Sequence, residues 1–234
     1  MEFPAVLSTG AGRLSVAQIV SYESFESFIR HPAPGFACRP AGRGRESERF
    51  TVRVAHEVRP PATAADLASL GRLIPAGAEQ ILAFYAVHDG FILYRDTRIL
   101  KMGAYSIQAA GVELYRVEEM ERNTTQMRKS LATLPDKQDT NGLKTSVAIG
   151  GSPHSGNYFA MTVRGPQAGK VFFVDHDDWR QEAFADSFEQ FLELICTSPA
   201  LLLAKTLGCT ARYSDGETNS QWIPIEYLEN AASS

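Results

Sequence analysis

The sequence predicts an α+β fold with mostly antiparallel strands, and three observations carry that prediction. Three strand-like segments, Thr145–Ile149, Asn157–Val163 and Lys170–Val174, follow one another with only the turn-rich GGSPHSG and RGPQAG between them. Connections that short join antiparallel strands, because a parallel pair needs a crossover of about a dozen residues or more. Helical patterns flank this cluster, from Leu73 to Gly90 and from Phe184 to Cys196, and helices set apart from clustered strands define an α+β chain. A length of 234 residues is enough for one sizeable core, or for one core with a smaller attached piece.

The elements follow in order. Ser15 is placed to cap a helix whose apolar residues are Val16, Ile19, Val20, Phe25, Phe28 and Ile29, and Pro32, Pro34 and Gly35 stop it. RPAGRGRESE, residues 39–48, has no periodicity and reads as loop. Phe50–Val58 alternates apolar and polar residues, a strand with one wet face, closed by Pro60 and Pro61. Residues 62–70 suggest a short helical turn. In the helix that follows, Pro75 suits the first turn, Ile81, Leu82, Phe84, Tyr85 and Val87 form the apolar stripe, and Gly90 is the stop. FILY, residues 91–94, is a short buried strand, residues 104–109 a strand or irregular edge, and Val112–Val117 alternates. Arg122–Leu134 tolerates a helix, and PDKQDTNG, residues 135–142, is a surface loop. After the three strands, Phe184, Phe188, Phe191, Leu192 and Ile195 mark an amphipathic helix over Phe184–Cys196. A second helical run extends from Pro199 to Leu207. In the tail, Trp222, Ile223 and Ile225 anchor an edge segment, and Pro224 argues against a central strand.

Composition narrows the function classes. The net charge is −4, so tight, non-specific binding of nucleic acid by the whole molecule is not expected. The nine basic residues of positions 1–72 are interrupted by acids and read as a solvated loop and edge strand. No apolar run reaches the length of about 18 residues that a membrane helix needs, and the first 15 residues lack a basic region ahead of an apolar one. Cys38, Cys196 and Cys209 form an odd, sparse set without CxxC spacing, which points to reduced thiols in a cytoplasmic protein. Dinucleotide and P-loop glycine patterns, HExxH, GxSxG and EF-hand loops are all absent from the sequence. No cofactor and no metal are expected.

Three polar constellations remain. DHDDW, Asp175–Trp179, follows an apolar strand directly and holds the types that bind a metal or move a proton. The plainer reading is that it ends the strand and caps the next helix. His154 sits between Ser152 and Ser155 in one hairpin turn, where a base and a nucleophile rarely reach triad geometry. His88 and Asp89 stand at a helix end, where histidine meets the last carbonyls. Between Val171 and Ile195 there are seven acids and one base, Arg180. A solvated helix face explains part of that bias; the stretch would also suit a partner with a basic surface.

The order of these segments resembles the SMI1/KNR4 (SUKH) superfamily. Leu73 and Pro75 match the Leu-Pro start of its first long helix, with Ile74 inserted, and Asp89–Gly90 stands where Asn-Gly usually closes that helix. Ile149 and Gly150 match the Ile-Gly before its central hairpin, and Gly156, Asn157 and Phe159 its return strand. Val171 and Phe172 match the next strand, Asp175–Asp177 the polar turn, and Ser187, Phe188, Phe191 and Leu192 the helix after it. The likeness covers residues 66–196, is loose over 95–140, and leaves both ends of the chain outside the common core.

The resemblance implies one twisted, mostly antiparallel sheet backed by helices. Residues 1–60 would be a helix-plus-strand extension, and 61–234 the domain with its own C-terminal extension. It also implies a non-catalytic protein-binding module, an immunity protein that neutralises a bacterial toxin by direct contact. The partner would be a protein, such as a basic nuclease or deaminase domain, with neither nucleic acid nor membrane bound. A regulatory or scaffold domain without a toxin is the alternative, and a metal-dependent hydrolase built on Asp175–Asp178 a further one. The expected partner-facing residues are His88, Asp89, His154, Asn157, Asp177, Asp178, Trp179 and Glu182.

Overall fold

The computed structural model describes residues 25–30, 36–41, 50–52, 54–75, 78–96, 100–102, 105–107, 112–133, 142–151, 156–177, 179, 181–197, 212–214 and 219–224. Its centre is a seven-stranded sheet, antiparallel throughout. In chain order its strands are β3 (Val54–Val58), β4 (Phe91–Asp96), β7 (Val112–Leu114), β8 (Ser146–Gly151), β9 (Tyr158–Thr162), β10 (Val171–Val174) and β11 (Gln181–Ala185). Across the sheet they lie in the order β11-β10-β9-β8-β7-β4-β3. A second sheet joins distant parts of the chain. There β1 (Phe36–Ala41) and β2 (Phe50–Val52) meet β12 (Arg212–Ser214) and β13 (Asn219–Pro224) in the order β12-β13-β1-β2. A short ribbon pairs β5 (Leu100–Met102) with β6 (Tyr105–Ile107). The helices are α1 (25–30), α2 (Ala64–Leu73), α3 (Ala78–Tyr85), α4 (Val117–Leu131) and α5 (Phe188–Thr197). No described helix is long and apolar enough to cross a membrane.

The middle strands are buried on both faces, which is why β8, β9 and β10 read as nearly unbroken apolar runs. Side chains alternate between faces. Val147, Ile149, Phe159, Met161, Val171 and Phe173 enter one core with residues of α1, α2, α3 and α5; Ala148, Tyr158, Ala160, Phe172 and Val174 enter another with Met127 and Leu131 of α4. Phe159 stands at the centre of the first. Its ring lies 5.5 Å from Phe173, 5.2 Å from Phe184 and 5.1 Å from Phe191, in the tilted and edge-on geometries that aromatic quadrupoles prefer.

Among the described residues, β8 has no strand neighbour along part of one edge, and a helix takes that place. β7 reaches β8 only through Glu113↔Gly151 and Leu114↔Gly150. Tyr115 N–H adds one more bond to Ile149 O, at 2.9 Å, before the chain turns into α4. From there α4 supplies the missing partners with side chains. Thr124 Oγ1 accepts the Ala148 N–H at 3.0 Å, and Arg128 donates from Nε and Nη2 to Ser146 O at 3.1 and 2.8 Å. Residues four apart share a helix face, so this pair spans two residues' worth of strand. Thr124 is buried, as a polar group with its bond made can be.

The start of α4 is fixed from the other side of the sheet gap. After α3 the chain bends through His88, Asp89 and Gly90 into β4. Asp89 donates its N–H to Pro60 O at 2.8 Å, and its Oδ1 accepts the Val117 N–H at 3.0 Å, satisfying a free donor at the α4 N-terminus. Glu119 Oε2 accepts the Arg116 N–H at 3.0 Å. Gly90 has φ +82°, and a Cβ there would lie 2.4 Å from Leu114 O, so any side chain would collide with β7. Arg59 closes the junction, donating to Glu113 Oε1 at 2.7 Å and Leu114 O at 3.1 Å, with Glu119 at 3.6 Å. Beneath it Tyr85 Oη donates to Tyr115 O at 2.6 Å; burial first, and then Asp89 nearby, hold that phenol well above its usual pKa.

Several boundaries differ from those the sequence suggests. The strand expected over Phe50–Val58 is two strands, β2 and β3, that enter different sheets. The helix expected from Arg122 begins at Val117. Residues 181–185 form a strand, so α5 begins at Phe188 and DHDDW closes a hairpin instead of capping a helix. Phe184 misleads because it lies four residues before Phe188, the helical spacing, while its side chain in fact enters the core from β11. The tail is a strand with β12 on one side and β1 on the other, but Pro224 lies beyond the stretch that β12 covers and faces only β1. That position needs one ladder fewer, which is where proline is tolerated. The helix expected over Pro199–Leu207 lies outside the described residues.

Two predictions follow from this packing. Thr124→Val, nearly the same in shape, strands the buried Ala148 N–H and should lower unfolding free energy by about 1–3 kcal/mol in urea titrations. His56 of β3 stacks on Phe28 of α1, ring centres 4.7 Å apart, and burial lowers its pKa from 6.5 to about 4. The unfolded chain therefore takes up the proton first as pH falls. Stability should decline between about pH 6.5 and 4, by about 3 kcal/mol at most, and level off below. His56→Phe should remove that part of the pH dependence.

Candidate functional site

The polar turn between β10 and β11 is built from its backbone outward. Asp175 Oδ1 accepts the Asp177 N–H at 3.0 Å, an Asx turn that starts the reversal. Asn157, just before β9, reaches across from the neighbouring loop. Its Oδ1 accepts the His176 N–H at 3.1 Å and the His176 Nδ1–H at 2.7 Å. An amide oxygen only accepts, so this contact places a proton on Nδ1. His176 Nε2 lies 3.1 Å from Asp177 Oδ1. The imidazole rests on Gly156, where φ is +80° and a Cβ would come within 3.1 Å of the ring. Glycine is thus needed there twice, for the backbone and for the ring above it.

Trp179 completes the turn in an unusual state. Its φ is +57°, the left-handed region, which costs a residue with a side chain roughly 1–2 kcal/mol. Its half-buried indole packs against the core of Tyr158, Phe172, Val174 and Met127. Burial of apolar surface there offsets the backbone cost. Tyr158 lies under the same turn, and burial raises its phenol pKa.

The sequence-predicted residues fall into two places. Asn157, Asp177, Trp179 and Glu182 come together on the β10–β11 hairpin and the start of β9. Glu182 is exposed and pairs in register with Phe173. His88 and Asp89 stand at the α3–β4 junction, and β4 lies three strands from β9. There His88 Nε2 meets Glu26 Oε1 at 2.6 Å, and Asp89 holds the start of α4. His154 and Asp178 lie outside the described residues. His176 and Gly156 belong to the hairpin site although the sequence reading did not single them out as partner-facing; the signal was a glycine directly before Asn157, with DHDDW the one dense polar cluster available to meet it.

The chemistry open to this arrangement is limited by what its groups already do. His176 has its ring nitrogens against an amide oxygen and a carboxylate, and neither is a nucleophile that a base could activate. Asp175, His176 and Asp177 offer ligand atoms within 4.8 Å of one another. Of these, Asp175 accepts a backbone bond and His176 Nδ1 is held by Asn157, so both groups already serve the turn. What the groups do together is fix the relief of an exposed turn.

The fold and this turn define an α+β domain whose antiparallel sheet carries polar hairpin turns at one end. A family model described as SMI1-KNR4 cell-wall (SUKH_6) matches residues 99–192, from just before β5 to within α5. Over this segment, about two fifths of the chain, the sequence is similar to that family. No curated protein matches the chain.

Replacing Asn157 with Ala removes both bonds to His176. Amide exchange at His176 and Asp177 should quicken, and stability should fall by about 1–2 kcal/mol, as read by hydrogen exchange and urea unfolding.

Proposed function

We propose that the chain is a non-catalytic, cytoplasmic protein-binding module, an immunity-type protein that neutralises a bacterial toxin by direct contact. The observation that supports this most is the mutual engagement of the hairpin's polar groups. Asn157 holds His176 through two bonds, Asp175 holds the Asp177 N–H, and a half-exposed Trp179 is fixed beside them. A surface rigid before binding loses little entropy on association, and a tryptophan amid polar groups is the usual anchor of a protein interface. Cys196 fits a reduced compartment: it is a free thiol whose pKa burial, aided by Glu193, pushes up to about 12, far from a reactive thiolate.

Inhibition by such a module is steric, through cover of the toxin's cleft or of its substrate's path. The acids around the hairpin would speed encounter with a basic partner. An affinity pull-down from the native cell tests the proposal, with a secreted or contact-delivered toxin as the expected catch. Lys at Asp177, Asp178 and Glu182 together should then slow association at low salt by about tenfold or more. An unchanged association rate would remove the hairpin from the interface.

A further inference from the structure

Two arginines meet at the end of the sheet opposite the Asn157–His176 contact. Arg128, in the last turn of α4, is half-buried, and its Nε–H and Nη2–H both point at one carbonyl, Ser146 O, at 3.1 and 2.8 Å. That contact fixes the guanidinium plane and leaves most of its five donors for another acceptor. Ser146 pairs with Thr162 in the β8–β9 ladder, their hydroxyls 3.1 Å apart. Val163 then enters the first core, so alternation carries the next residue, Arg164, to the α4 side together with Thr162. There it is exposed, at the start of the turn into β10. Its charge reaches Arg128: burial first, and then Arg164, hold the Arg128 guanidinium below its usual pKa.

The pair has no counter-charge. Among the described residues neither arginine makes an ion pair with a carboxylate, and the Arg164 side chain makes no hydrogen bond. Lys170, across the same turn, differs, because it faces Asp186 at 3.1 Å. Two cations held together, one of them half-buried, repel each other more than they would in water. The folded chain gains nothing from the charge of Arg164, whereas an anion between the two would turn repulsion into attraction.

We propose that Arg128 and Arg164 together bind a phosphate group, either as the free ion or as the monoester of a small ligand. The charge selects this class. A phosphate monoester carries about −1.5 to −2 at neutral pH and balances two guanidiniums, where a single carboxylate would leave one uncompensated. Guanidinium forks also meet oxyanions two donors at a time. Arg128, preset by Ser146 O, gives the orientation, and Arg164 supplies the second fork from the solvent side. The site lies away from the β10–β11 hairpin and is independent of the protein-binding reading.

The test is an NMR titration of the full chain at low salt that reads the Nε–H signals of Arg128 and Arg164, with inorganic phosphate and phenyl phosphate as separate probes. Each probe should shift both signals along one saturating curve. Tighter binding of phenyl phosphate assigns the site to a phosphorylated small ligand, and equal or tighter binding of inorganic phosphate to the free ion; either supports the site. Arg164→Gln should weaken binding about tenfold or more. Arg164→Lys, which keeps the charge but not the fork, should weaken it less. Arg30→Gln, which removes the same charge from α1, should leave binding unchanged, and acetate should bind at least about tenfold more weakly than phosphate. Without phosphate, R164Q should keep the wild-type urea midpoint, which separates lost binding from lost structure. Shifts that fail to saturate or centre elsewhere, equal binding by R164Q, equal binding of acetate, or a lowered midpoint in R164Q would overturn the proposal.

Discussion

The structure depends on how β8 is completed. A central strand must satisfy the donors and acceptors of both its edges, and β7 covers only the last two residues of one of them. Helix α4 does the rest through Thr124 and Arg128. Through these bonds α4 lies against β8 and covers the second core. The hydrogen bonds are few, but each answers a buried group that would otherwise be costly to leave alone. The junction at Asp89 and Gly90 serves the same end, since it sets where α4 starts. A helix displaced by one residue would turn Thr124 and Arg128 away from the strand.

This arrangement places the hairpin turns. With β8, β9 and β10 held between two cores, the loop before β9 and the turn after β10 emerge at the same end of the sheet, adjacent across one ladder. Asn157 and His176 are therefore neighbours although nineteen residues separate them in sequence. The strained Trp179 follows from the same economy of space: a short reversal into β11 with an indole turned onto the core leaves a left-handed backbone as the available path. The polar groups end as a fixed surface, with the buried tyrosines and phenylalanines behind them carrying the stability.

Much of this was legible in the sequence, for identifiable reasons. The runs VAIG, YFAMT and VFFV announce strands buried on both faces, and the short turns between them dictate their antiparallel order. Gly90 was readable as the break before β4, because only glycine suits that backbone, although α3 itself already ends at Tyr85. Helix α4 was harder to see. Its buried positions Val117, Met120, Thr124, Met127 and Leu131 keep strict helical spacing, but the middle one is a threonine facing a strand edge, and a polar residue breaks the apolar stripe that periodicity seeks. The strand β11 was hidden by Phe184, which serves a sheet yet sits at helical distance from Phe188. The pairing of β1 with β13 joins ends of the chain that carry no local sign of one another. In the site, the cluster DHDDW stood out by composition, whereas its tie to Asn157 depends on a fold that brings two loops together.

On the proposed reading the hairpin is a prearranged surface for another protein and not a reaction centre. A crystal structure of the chain bound to the partner captured from its native cell tests this most directly. The expected structure has a partner seated over Gly156–Asn157 and the turn between β10 and β11, with the Asn157–His176 contacts unchanged from the free chain. A partner bound elsewhere with the hairpin left in solvent, or a substrate-like molecule held at His176, would contradict it.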